Sequence, residues 1–250
     1  MSIRTILSVV VLAACISGPA SAAMSTEPRD IERRQPMPAG ALLDGISAHG
    51  AGPMRSDVRD IDREFGFAAV KTREMRFYSL GSLLVNLEAA MRGNDRKTAE
   101  KVAASLAREL RELHAPEGLR KKMETFRQGL ERSAQDGQAL GRPDQELVSA
   151  LYSFVEQEKR TVYLRLGEWV ESSRLALEGR KTGERPVSEY ILKQENYAGY
   201  FLAAFKGEQL PPDVAEALGV LSSVAGGTTL GEAEVRKAAA ALENIRQAME

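Results

Sequence analysis

An all-α protein is predicted, by three observations made on the sequence alone. Apolar residues recur at steps of three and four through most of the chain after residue 67, the spacing of a helix with one buried face. Every proline beyond residue 53 (Pro116, Pro143, Pro186, Pro211 and Pro212) stands where such a stretch begins, where its missing N–H has no intrahelical partner to lose. No segment alternates apolar and polar residues with the β-branched enrichment of a strand.

Taken in order, Ala69, Phe77, Leu80, Leu84, Leu87 and Met91 define a first helix that Gly93 and Asn94 close. Asn94 or Asp95 then caps a second, burying Ala99, Val102, Leu106, Leu110 and Leu113 before His114-Ala115-Pro116. Pro116 opens a third with Leu119, Met123, Phe126, Leu130 and Ala134 on one face. The longest pattern, 143–178, predicts one continuous fourth helix of about 54 Å, which either carries more than one packing unit or bends near Gly167. Pro186 begins a fifth, carrying Val187, Tyr190, Ile191, Tyr197, Phe201 and Phe205. Pro211-Pro212 begins a sixth, with Val214, Leu218, Leu221 and Val224. Thr229 and Glu232 form a capping box for the last, which carries Val235, Ala239, Leu242, Ile245 and Met249.

Short loops favour antiparallel neighbours, so the expected architecture is an up-and-down helical bundle with additional C-terminal helices and no sheet. The helical domain covers 66–250, with a four-helix bundle over 66–179 and a C-terminal helical cap over 186–250. No repeat of fixed period joins the unequal helices.

Ahead of it, residues 1–22 carry the marks of a signal peptide. These are Arg4, an apolar segment over 6–16, a Gly18-Pro19 break and the small residues Ala20-Ser21-Ala22, with cleavage before Ala23. Periplasmic or secreted localisation is the expectation. The alternative is a lipid anchor, because Leu12-Ala13-Ala14-Cys15 resembles a lipobox with Cys15 as the lipidated residue. Residues 23–65, rich in proline and glycine, read as a flexible leader, with Ala41-Leu42-Leu43 and Ile46 as a short docking segment.

Composition narrows function by exclusion. Of 250 residues, 34 are Lys or Arg and 35 Asp or Glu, so no global field recruits nucleic acid or membrane, and a membrane role is expected only through Cys15. A single cysteine excludes a disulfide and a cysteine-based zinc site; His49 and His114 lack companions at ligand spacing, and no cofactor is implied. No nucleophile–base pair, phosphate-binding loop or di-iron pattern is present, so no catalytic residue is assigned.

The sharpest candidates are charges on faces expected to be buried. Glu158 and Arg165, seven residues apart, interrupt the stripe of Leu151, Val162 and Trp169, and Arg73 and Arg76 sit beside Phe77 and Leu80. Arg73, Arg76, Glu158, Arg165 and Trp169 form the candidate ligand-binding set, against the reading of structural ion pairs. Tyr190, Tyr197, Tyr200, Phe201 and Phe205 are core or a groove, with Tyr200 lying off the stripe. Two functions are expected from this pattern. The first is an exported, non-enzymatic interaction or adaptor protein with a protein partner in the cell envelope; the alternative is a small-ligand-binding or sensory bundle with an internal polar pocket.

Overall fold

In a computed structural model, residues 36–48, 71–135, 139–178, 192, 197–207, 210–227 and 230–250 are described. Among these residues the protein is all-helical and has no strand. The helices are α1 (Ala39–Ala48), α2 (Arg73–Arg92), α3 (Arg96–Glu112), α4 (Glu117–Gln135), α5 (Gln145–Gln157), α6 (Thr161–Glu178), α7 (Tyr197–Ala204), α8 (Pro212–Gly226) and α9 (Glu232–Met249). One apolar core runs through all of them, from Ala39 to Met249. The predicted signal segment 1–22, Cys15, His49, Pro186, Tyr190 and Thr229 lie outside the described residues.

Local chemistry sets most boundaries. The Thr72 hydroxyl accepts from the Met75 N–H (3.2 Å) at the start of α2. Asp95 accepts from the Thr98 N–H (3.1 Å) at α3, so Asp95 rather than Asn94 is the cap. Asp144 does the same for α5, from the Glu146 N–H (2.8 Å). Asn94 and His114 take the left-handed conformation that ends α2 and α3 (φ 54° at each). The Asn94 side chain also receives the Leu140 N–H (2.9 Å), pinning the loop before α5 to the α2–α3 turn. The last helix departs from expectation: Gly231, which gives no side-chain bond, is its cap in place of the Thr229–Glu232 box.

The expected continuous helix over 143–178 is two helices. Lys159 adopts φ 56°, and Glu158 closes α5 by donating its N–H to the Phe154 carbonyl (3.1 Å). The chain folds back so that Tyr152 meets Glu168 across the turn. Gln157-Glu158-Lys159-Arg160 contains no glycine or proline, and its helix-forming residues hide the break. Gly167 is not a bend; it lies inside α6 for another reason.

That reason is the pairing of α2 with α6, the most extensive among the described helices. A Cβ at Gly81 would fall 2.1 Å from the Leu164 carbonyl oxygen, and one at Gly167 would fall 2.1 Å from that of Tyr78. The secondary clashes match too: the Glu168 nitrogen for Gly81 and the Ser82 nitrogen for Gly167. Each glycine therefore meets the residues three before and one after its counterpart, a local two-fold relation. The contacts Ser82–Gly167 and Asn86–Glu171 keep one sequence offset along both helices, so the helices run parallel. Close backbone approach at small residues replaces side-chain interdigitation at this crossing.

Other elements dress this pair. α3 runs antiparallel to α2, α4 antiparallel to α3, and α5 leads into α6. α9 lies against α6 and reaches α2, α8 packs on α9, and α7 packs on α8 and α6, so the C-terminal helices share the core. Segment 39–48, which falls within the expected flexible leader, is helical and buries Leu42, Leu43 and Ile46 against α2 and α6. Each of those side chains contributes about 1.5–3 kcal/mol by burial. On the outermost helix, by contrast, a Cβ at Gly129 would meet nothing within 4 Å. Gly129→Ala is expected to raise stability by about 0.5–1 kcal/mol, measured by urea unfolding, because only the backbone entropy of glycine changes.

Candidate functional site

α2 and α6 are enclosed on nearly every side, and they carry polar groups into the interior. Ser79, Ser82 and Asn86 of α2 and Glu168, Glu171, Ser172 and Ser173 of α6 are all buried. A buried carboxylate persists only with strong partners, and each of the two has them.

Glu168, 0% exposed, receives the Tyr152 hydroxyl at 2.5 Å and Arg165 Nη1 at 2.7 Å. The backbone N–H of Ala39 adds a third bond, at the N-terminus of α1, where the helix presents unpaired donors. The Arg165 guanidinium also stacks over the Tyr152 ring, 4.6 Å from its centre. Burial raises the Glu168 carboxyl above the ordinary carboxylate range, against the opposing pull of Arg165, Tyr152 and Ala39. For Arg165, burial works downward, but Glu168 and Tyr152 outweigh it and hold the guanidinium above its usual value.

Glu171, one turn on, accepts Asn86 Nδ2 at 2.8 Å and Arg174 Nη2 and Nε at 2.7 and 3.0 Å. Arg174 also reaches Glu178 (2.6 Å). α1 is clamped a second time through Asp44, its one charged residue: Asp44 pairs with Arg92 (2.9 Å) and Arg142 (2.8 Å), and Arg92 bonds Glu88 (2.5 Å) and the Gly40 carbonyl (3.0 Å). Glu168 and Glu171 thus bind α1, α2, α5 and α6 together. The Oγ atoms of Ser172 and Ser173, Asn86 Oδ1 and Trp169 Nε1 are buried in the same region without a hydrogen-bond partner.

The five residues singled out in the sequence occupy separate places. Arg73 and Glu158 form a pair (2.5 Å) at the α2–α6 rim, with side chains 46% and 32% exposed, where such a pair contributes little. Arg76 bonds Glu109 (2.9 Å) and Glu112 (3.2 Å) of α3. Arg165 belongs to the Glu168 cluster, and Glu158 does not share its helix, which corrects the expectation that the two line one face. Trp169 is buried against Tyr197 and Phe201 of α7, with ring centres at 6.5 and 5.5 Å. Tyr197, Phe201 and Phe205 are core, and Tyr200 is half-buried, off the stripe as its spacing indicated.

Glu168, Glu171, Tyr152 and Asn86 escaped the reading because stripe counting assumes one buried face, and α2 and α6 have none that is free. Among the described residues no group of three or more His, Cys, Asp or Glu is arranged to hold a metal ion, and His114 is exposed. No described helix is long and apolar enough to cross a membrane. No protein-family profile, curated protein or solved structure matches this chain.

Proposed function

We propose that the protein is an exported, non-enzymatic helical scaffold of the cell envelope that works by binding a partner protein on its outer faces. The supporting observation is that the interior charges are committed to one another. Glu168 is saturated by Tyr152, Arg165 and Ala39, and Glu171 by Asn86 and Arg174, so the buried chemistry serves to hold helices in register. A rigid core with exposed, charged helix faces suits a platform for another protein. Pull-down from envelope extract with the full chain, followed by sizing of the reconstituted pair, is expected to give a complex of defined stoichiometry. A chain that stays monomeric and retains no partner would sink the proposal.

A second reading, a bundle that takes a small ligand inside, draws on the unpartnered buried groups of Asn86, Trp169, Ser172 and Ser173. A metabolite that raises the melting temperature of the wild type, and does so less for Ser173→Ala, is the expected result under that reading.

A further inference from the structure

The contact of α1 with the rest of the protein has the form of a bound peptide. Residues 49–72 separate α1 from α2, and a chain of that length extends up to about 80 Å, so the connection does not dictate where α1 sits. Its place is set by α2 and α6, with Arg142 added from the loop before α5. Glycines at 40 and 45 weaken α1 as a helix, and isolated helices under about 12 residues are marginal in water even without glycine. α1 therefore takes its shape on docking.

The surface beneath it reads a helix in three ways. The buried Glu168 carboxylate accepts the main-chain N–H of Ala39, which registers the start of a helix whatever the side chain there. Arg92 donates to the Gly40 carbonyl (3.0 Å) and pairs with Asp44 (2.9 Å), which registers an acid beyond that start. Leu42, Leu43 and Ile46 enter the core, each 2% exposed or less. The receiving groups are held by partners other than α1. Glu168 has Tyr152 and Arg165, Arg92 has Glu88, and α2 meets α6 through Gly81 and Gly167.

We infer that the surface of α2 and α6 beneath α1 is a receptor for a helix of a partner protein, and that α1 is a strap occupying it in the free chain. The partner helix repeats the pattern of α1: a free N-terminal turn, apolar residues at its fourth, fifth and eighth positions and an acid at its sixth. Docking of a helix in a groove uses such spaced anchors. The weakness of α1 is what makes it replaceable. A helix of the same pattern without the two glycines gives up less conformational freedom on docking and competes successfully. The inference rests on the scaffold reading, whose partner it locates.

The test uses the full chain and a fluorescent peptide of residues 36–48. In the wild type a tethered strap acts at an effective concentration in the millimolar range, so the peptide competes poorly. The L43D variant puts a carboxylate in an apolar socket and frees the strap, and it is expected to bind the peptide at least a hundred-fold more tightly than the wild type does. A peptide carrying the same L43D change is expected not to bind. The variant is expected to melt at a lower temperature, and saturating wild-type peptide to restore most of that loss. Three results would each overturn the inference: a variant of native circular dichroism that binds the peptide no better than the wild type, an unfolded variant that the peptide does not restore, or a partner from envelope extract held equally by both chains and not displaced by the peptide. Restoration by the peptide with no protein captured from the extract would keep α1 as a displaceable strap and remove the scaffold reading. A captured partner without restoration would remove the strap and keep the scaffold.

Discussion

Replacing Gly81 or Gly167 with alanine is expected to destabilise the protein by roughly 3 kcal/mol or more. The added methyl would sit 2.1 Å from a main-chain carbonyl oxygen of the facing helix in either case. A flexible side chain would swing aside, but a backbone carbonyl inside a helix moves only if the helix moves. α2 and α6 must then separate, and the separation propagates to Asn86–Glu171 and to the Ala39–Glu168 contact. Denaturant unfolding of each variant measures the loss, with Gly129→Ala as the matched control in open space. A change below about 1 kcal/mol at both positions would mean that the helices are not in backbone contact.

The second large effect lies at Glu168. Glu168→Ala is expected to cost about 3–5 kcal/mol, because it leaves Arg165 and the Tyr152 hydroxyl in the interior without their acceptor. Its pH dependence is distinctive. Burial raises the Glu168 carboxyl above its unfolded value, so between the two values the folded state holds more protons than the unfolded one. The contribution of this group to stability is therefore greatest below the ordinary carboxylate range. It declines as pH rises through the raised value. Melting temperatures of the wild type and of Glu168→Gln, measured side by side from pH 4 to 8, are expected to show the wild type losing ground to the variant as pH increases. A wild-type advantage that grows with pH would contradict a carboxylate dominated by desolvation.

Fold class was legible because amphipathic helices announce themselves. α3 and α4 have one buried face and one charged face, and their prolines and caps fall where simple rules put them. The turn at Lys159 was illegible for the opposite reason. A left-handed residue there is imposed by the packing of Tyr152 on Glu168 and Arg165, which no local composition reveals. α1 was half legible: Leu42, Leu43 and Ile46 marked a docking segment, but the carboxylate that receives its N-terminus lies more than a hundred residues away in the chain. The candidate site suffered most. Arg165 stood out as a charge on an apolar stripe, whereas Glu168 and Glu171 looked like ordinary outward residues until α6 proved to have no outward side.

The parallel pairing of α2 with α6 bears on how the chain acquires its structure. Antiparallel neighbours such as α3 and α4 meet across a few residues and form quickly, but a parallel pair must wait for everything between its members. Here α3, α4 and α5 are all synthesised before the first residue of α6 exists. The glycine face of α2 therefore stays unmatched through that interval, and closing the loop carries an entropy cost that local hairpins avoid. In chain order the centre of this protein is completed late, and a chain cut off before Gly167 would keep its outer helices without the contact that orders them.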